Sequence, residues 1–169
     1  MSLATSDAFM RNPKSFHSSP YRAATTDLER QNMRFVDHPS GISGDCWRVC
    51  LAIMLNVPWY TVEHFVYLSE ITPDYNWWDR SVQWVQRKAH GWNIVELDVV
   101  FPVYAEPEKA PGKVILVGLS PRGDFDHAVI ADAVTGDILW DPHPSRDGLV
   151  TRTAVYALIQ DPIEEESAA

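Results

Sequence analysis

The hydrophobic period of this chain changes at Gly91, and that change constrains the fold more than any other feature of the sequence. Before it, apolar residues recur at helical spacing. After it, they come in short Val- and Ile-rich runs separated by turn residues. In "CWRVCLAIMLN", Cys46, Val49, Cys50, Ile53, Met54 and Val57 share one apolar face, so a helix is expected there. Ser43 or Asp45 is its expected N-cap, and Pro58 blocks its continuation. "TVEHFVYLSE" reads as a second short helix capped by Thr61. "WWDRSVQWVQRKAHG" reads as a third, with Trp78, Val82, Val85 and Ala89 as its stripe and Gly91 as its stop. The runs "NIVELDVV", "KVILVGLS", "HAVIADAV", "DILWD" and "RTAVYALI" read as strands. Gly136 in "VTGD" suits a hairpin turn, and "SPRGDFD" is a polar connection. Helices followed by an antiparallel sheet make the expected class α+β.

A chain of 169 residues fits one domain with a substantial core. Residues 1–32 carry few periodic apolar positions and are expected to form a flexible arm; a single domain is expected over 33–160, and an acidic tail over 161–169. The net charge of −9 argues against general binding to nucleic acid or to an anionic membrane. No apolar run approaches the ~20 residues of a membrane span, and the first residues lack a signal-peptide core, so a cytoplasmic location is expected.

The two cysteines, Cys46 and Cys50, lie four apart on the first helix, an awkward geometry for a disulfide. Cys46 stands in its first turn, where the partial positive charge and unpaired N–H groups favour a thiolate. His127 opens one strand and Asp141 ends the next. An antiparallel hairpin turning at residues 134–137 brings them to the same end of the sheet. There a carboxylate can orient an imidazole and stabilise its protonated form, which is the arrangement that activates a thiol nucleophile.

The order "DC" at a helix start, "HAV" at a strand start and "DP" one hairpin later resembles the papain-like cysteine peptidase superfamily. In pattern it is closest to the compact peptidase domains of bacteriocin-exporting transporters. "GDCWRVCLA" and "DPHPSRDGL" also resemble small uncharacterised proteins of bacteria and their phages. The resemblance covers roughly residues 40 to 150. It implies a papain-like fold, with a nucleophile-bearing helix packed on a sheet that carries the base. Cys46 would be the nucleophile, His127 the general base and Asp141 its orienting partner, with a peptide or protein as substrate and no cofactor or metal. The family carries a Gln about six residues before the nucleophile as an oxyanion donor. Here that position is Ser40, so the Cys46 N–H needs a different second donor.

Other residues have plainer readings. Cys50 reads as a small core hydrophobe, and Trp77, Trp78, Trp84 and Trp92 as core and helix-packing residues. His143 and Arg146 emerge beside Asp141 and are candidates to line a cleft. Cys46, Cys50, His127 and His143 can be written as a zinc set, but Cys-x3-Cys within one helix is not a common zinc knuckle and no second close ligand pair accompanies it. Two functions follow as expectations. One is a cysteine hydrolase acting on an amide, peptide or isopeptide bond through a thioester. The other is a non-catalytic interaction protein on the same fold, such as a phage-encoded binder of a host protein.

Overall fold

A computed structural model of the chain describes residues 26–36, 43–103 and 112–160. Among the described residues three α-helices precede a five-stranded antiparallel sheet, so the fold is α+β. The first helix, α1, is Cys46–Leu55. Asn56 ends it at φ 56, and the Val57 N–H reaches back to the Ala52 carbonyl at 3.0 Å before Pro58 redirects the chain. Val49, Cys50, Leu51, Ala52 and Leu55 are all fully buried, so α1 is enclosed on more than the one face that its spacing predicts. Asp45 occupies the N-cap position but its side chain makes no capping bond; Oδ1 instead accepts the N–H groups of Arg34 and Phe35.

Helix α2, Phe65–Ile71, begins later than the sequence suggests. Thr61 belongs to a 3-10 turn, Trp59–Thr61, and its hydroxyl donates back to the Pro58 carbonyl at 2.7 Å, so it is not available as a cap. His64 caps α2, its Nδ1 accepting the Tyr67 N–H at 3.3 Å. Helix α3, Trp77–Lys88, is capped by Asn76, whose Oδ1 accepts from the Trp78 and Asp79 N–H groups.

The strands are β1 Trp92–Leu97, β2 Lys113–Leu119, β3 Asp126–Asp132, β4 Ile138–Trp140 and β5 Ala154–Gln160, in the spatial order β1-β5-β2-β3-β4. Alternate residues serve two apolar layers. Ile115, Ala128, Ile130, Tyr156 and Leu158 pack with the helices, and α1 lies on β2 and β3. Val114, Leu116, Val129, Ala131, Val155 and Ala157 form a second layer with Val99, Phe101 and Val103. Burial on both faces explains why these strands read as continuous apolar runs.

Two local features set the end of the sheet where the site lies. The β3–β4 connection turns at Gly136, φ +75, and Asp132 Oδ1 accepts the N–H groups of Val134 and Thr135. The pairing then slips, with Ala131 opposite Ile138 but Ile130 opposite Trp140. This bulge changes the register of the chain that enters Asp141. Gly118 stands opposite His127 on β2, and a Cβ there would lie 1.7 Å from the Thr151 carbonyl oxygen, so only glycine lets that chain cross.

Residues 1–25 of the expected arm and the tail at 161–169 lie outside the described residues. Thr26–Arg30 forms a 3-10 turn. Gln31 is tied to the domain: its Oε1 accepts the Trp59 N–H at 2.6 Å and its Nε2 donates to the Val57 carbonyl at 2.8 Å. Chain that packs on the domain therefore begins upstream of residue 33. Among the described residues no helix is long and apolar enough to cross a membrane.

Candidate active site

Cys46 is the first residue of α1 and is half-buried. As the first helical residue, its N–H has no intrahelical acceptor. His127 lies near the start of β3, which packs against α1, and is 2% exposed. Its Nε2 stands 2.7 Å from Asp141 Oδ1, and Cys46 lies near enough to the ring to raise its pKa. An ionised carboxylate only accepts, so Nε2 carries the proton toward Asp141, which leaves Nδ1 for Cys46. The three residues singled out from the sequence thus come together, with His127 bonded to Asp141 and Cys46 beside its ring.

Asp141 is held on every side. Oδ1 accepts the His143 N–H at 2.8 Å as well as the His127 bond, and Oδ2 accepts the Gly148 N–H at 2.9 Å. Burial pushes the Asp141 carboxyl up, but these three donors outweigh it and hold it below the usual carboxylate range. For His127, burial disfavours the imidazolium. The hydrogen bonds to Asp141 and Cys46, with the negative charge of both, overcome this and hold the ring at about 9. Cys50 is different: it is fully buried, and burial, with the charges of Cys46, Asp141 and Asp45, pushes its thiol well up. It is a core thiol.

Cys46 and His127 open onto a cavity of ≈ 370 Å³. Met33, Val36, Trp47, Val66, Trp77 and Tyr156 supply its apolar lining, and Ser43, Arg122, Asp126 and His143 its polar groups. His143 is therefore where the sequence reading put it. Its Nδ1 accepts the Ser145 N–H at 3.0 Å, and its ring stands edge-on to His127 at 6.1 Å. Arg146 is not in the lining. Its guanidinium donates to the Asp141 and His143 carbonyls and to Asn32 Oδ1, and lies 3.9 Å over the Trp140 ring. It braces the loop that carries Asp141, because backbone carbonyls and an aromatic face close to it offer more than the open cleft does.

Trp77 lines the cavity as well as packing against the core. Met33, Val36, Arg122 and Phe125 also line it, and the sequence reading missed them. For Arg122 and Phe125 a signal existed: "SPRGDFD" runs directly into the strand that carries His127, and loops on rigid strands are where binding groups concentrate. Ser40, the position of the family's oxyanion donor, lies outside the described residues. Among the described residues, no group of three or more His, Cys, Asp or Glu could hold a metal ion.

Compared with protein-family models, with curated proteins and with solved structures, the chain matches none.

Chemically, the arrangement offers a thiol with an imidazole at one side and, at the other, a backbone N–H that has no intrahelical acceptor. A buried carboxylate backs the imidazole. An apolar cavity beside the sulfur excludes water from part of the surface a substrate would cover.

Proposed function

We propose that this protein is a thiol-dependent amide hydrolase of papain-like type, acting on a peptide, isopeptide or related amide bond. The observation that carries this function is the meeting of Cys46 and His127 on one apolar cavity, with His127 bonded to buried Asp141. A structural histidine needs neither a thiol beside its ring nor a fully satisfied carboxylate bonded to it.

In the proposed reaction the Cys46 proton is held on Nδ1 of His127, whose ring stays protonated at neutral pH. The thiolate attacks the substrate carbonyl carbon, and the tetrahedral oxyanion receives the Cys46 N–H. His127 then returns the proton to the departing amine as the carbon–nitrogen bond breaks, leaving a thioester on Cys46. A water molecule, deprotonated by His127, attacks the thioester, and the acid is released as the sulfur departs as the thiolate. Asp141 holds the ring with Nδ1 toward Cys46 and stabilises the imidazolium.

A neutral activated ester tests this without knowledge of the substrate. With p-nitrophenyl acetate the protein is expected to release a burst of nitrophenolate equal to the enzyme present and to gain one acetyl group on Cys46, labile to hydroxylamine. Cys46→Ser and His127→Ala should abolish the burst. Acetylation spread over lysines, with Cys46 unmodified, would reject the hydrolase and favour a non-catalytic binder on the same fold.

A further inference from the structure

Arg122 is the cation among the polar groups of this cavity, and its bonding is incomplete. Its backbone N–H donates to Ser120 Oγ at 3.2 Å, and its Nη1 donates to Ser145 Oγ at 3.2 Å. Its Nε is out of contact with solvent and has no hydrogen-bond partner among the described residues. No carboxylate among the described residues lies within ion-pair distance of it, although the chain carries 23 Asp and Glu against 14 Lys and Arg. Asp126 lines the same cavity, where its charge bears on Tyr156. A guanidinium presents five N–H donors in a planar fork. With Nη1 turned to Ser145 and Nε enclosed by protein, Nη2 is the donor left for a ligand, and its charge-assisted N–H suits a carboxylate oxygen.

We propose that Arg122 reads a carboxylate on the substrate, so that the cavity takes an acyl or leaving group with an apolar body and one acidic end. The inference rests on the thiol-hydrolase function and adds its substrate class. On an acidic protein, which repels anions in general, a guanidinium without a carboxylate partner among the described residues, on the same cavity as the nucleophile, makes this selection local to the site. The carboxylate has two sources, an acidic side chain or a free chain end, and both present the same two oxygens.

Four small electrophiles separate the sources. Chloroacetyl-glutamic acid α-amide is compared with chloroacetyl-glutamine α-amide, and chloroacetyl-phenylalanine with its amide; in each case Cys46 sulfur displaces chloride, and the rate is followed by intact mass. The full-length wild-type chain should react about tenfold faster with at least one carboxylate probe than with its matched amide, the effect of one charge-assisted hydrogen bond. The pair that shows the preference identifies the source. In Arg122→Gln the carboxylate-to-amide ratio should fall to about one, and in Arg122→Lys to an intermediate value, because the charge stays and the fork is lost. A wild-type ratio near one in both pairs, or a ratio that survives in Arg122→Gln, overturns this inference alone. A Cys46 inert to all four probes overturns the thiol-hydrolase function and the inference with it.

Discussion

His127 Nε2 stands 2.7 Å from Asp141 Oδ1, and both side chains are buried. A buried ion pair is poor evidence of stabilisation, because taking both charges from water cancels most of their attraction. What the pair does accomplish is orientation. With Nε2 fixed on a carboxylate that also holds two backbone N–H groups, the imidazole has one way to sit, and its other nitrogen is the one left to Cys46.

Stability should depend on pH through this pair. The folded His127 is raised from 6.5 to about 9. Its contribution is therefore fully present below about 6.5 and lost as pH rises through about 9. Asp141 is lowered from 3.8, so its contribution is present above about 4 and lost as pH falls through its folded value. The melting temperature is expected to fall between pH 6.5 and 9.5, by an amount on the order of 3 kcal/mol in unfolding free energy. Asp141→Asn should flatten that fall. A wild-type melting temperature constant from pH 6.5 to 9.5 would show that the ring is neutral throughout.

Asp141→Asn should separate orientation from charge. The amide oxygen can keep the His127 and His143 contacts now made by Oδ1. The amide nitrogen then faces the Gly148 N–H that Oδ2 now accepts, donor against donor. The variant should lose about 1–3 kcal/mol of stability and yet retain measurable acylation of Cys46 by p-nitrophenyl acetate. Asp141→Ala should lose the acylation as well. Equal acylation of Asp141→Ala and wild type would reduce Asp141 to a loop anchor.

Alkylation should distinguish the two thiols. Cys46 is half-buried at a cavity beside His127; Cys50 is fully buried and its thiol is pushed well up by burial. A slight excess of iodoacetamide on the folded protein is expected to give a single adduct that peptide mapping places on Cys46. In 6 M guanidinium, a generic denaturing condition at ~6 M, both cysteines should react. Comparable labelling of Cys50 in the native protein would mean that α1 opens as readily as the site does.

The sequence already carried the period change at Gly91, the α+β order and the meeting of Cys46, His127 and Asp141. The last was legible because a hairpin is a short-range device: one turn at Gly136 brings a strand start and a strand end together. Capping at Asp45 and Thr61 was misread because both side chains have longer-range or competing partners, the Arg34 and Phe35 N–H groups in one case and the Pro58 carbonyl in the other. Arg146 was misread for a related reason. Adjacency to Asp141 in sequence says nothing of whether a long side chain turns to the cleft or folds back on carbonyls and Trp140. The apolar wall from Met33 and Val36 could not be read, since nothing local ties an irregular segment to a cavity far along the chain.

That segment leads to the last prediction, which concerns Asp45. Residues Met33–Phe35 bridge the two halves of the site: the Met33 N–H donates to the Pro142 carbonyl at 2.9 Å, next to Asp141, and the Asp45 N–H, next to Cys46, donates to the Phe35 carbonyl at 3.2 Å. Asp45 Oδ1 closes the second contact by accepting from Arg34 and Phe35. The Asp45 side chain is fully buried, and burial raises its pKa against the bonds from Phe35 and Arg34 and the charges of His64 and Arg48. A folded pKa above the unfolded one means a contribution that is fully present below about 4 and lost as pH rises through the folded value. At neutral pH the protein thus bears a buried charge where only an acceptor is needed. Asp45→Asn keeps an acceptor for Arg34 and Phe35 and removes the charge, so it should be at least as stable as wild type at pH 7.5, with the advantage shrinking toward pH 4. Asp45→Ala leaves both N–H groups unpaired and should lose about 1–3 kcal/mol at either pH. Because Met33 and Val36 line the cavity, Asp45→Ala should also slow acylation of Cys46 more than Asp45→Asn does. Thermal melts at the two pH values, with the p-nitrophenyl acetate burst at pH 7.5, decide the matter: an Asp45→Asn variant as unstable as Asp45→Ala at pH 7.5 would mean that the carboxylate charge itself holds the segment in place.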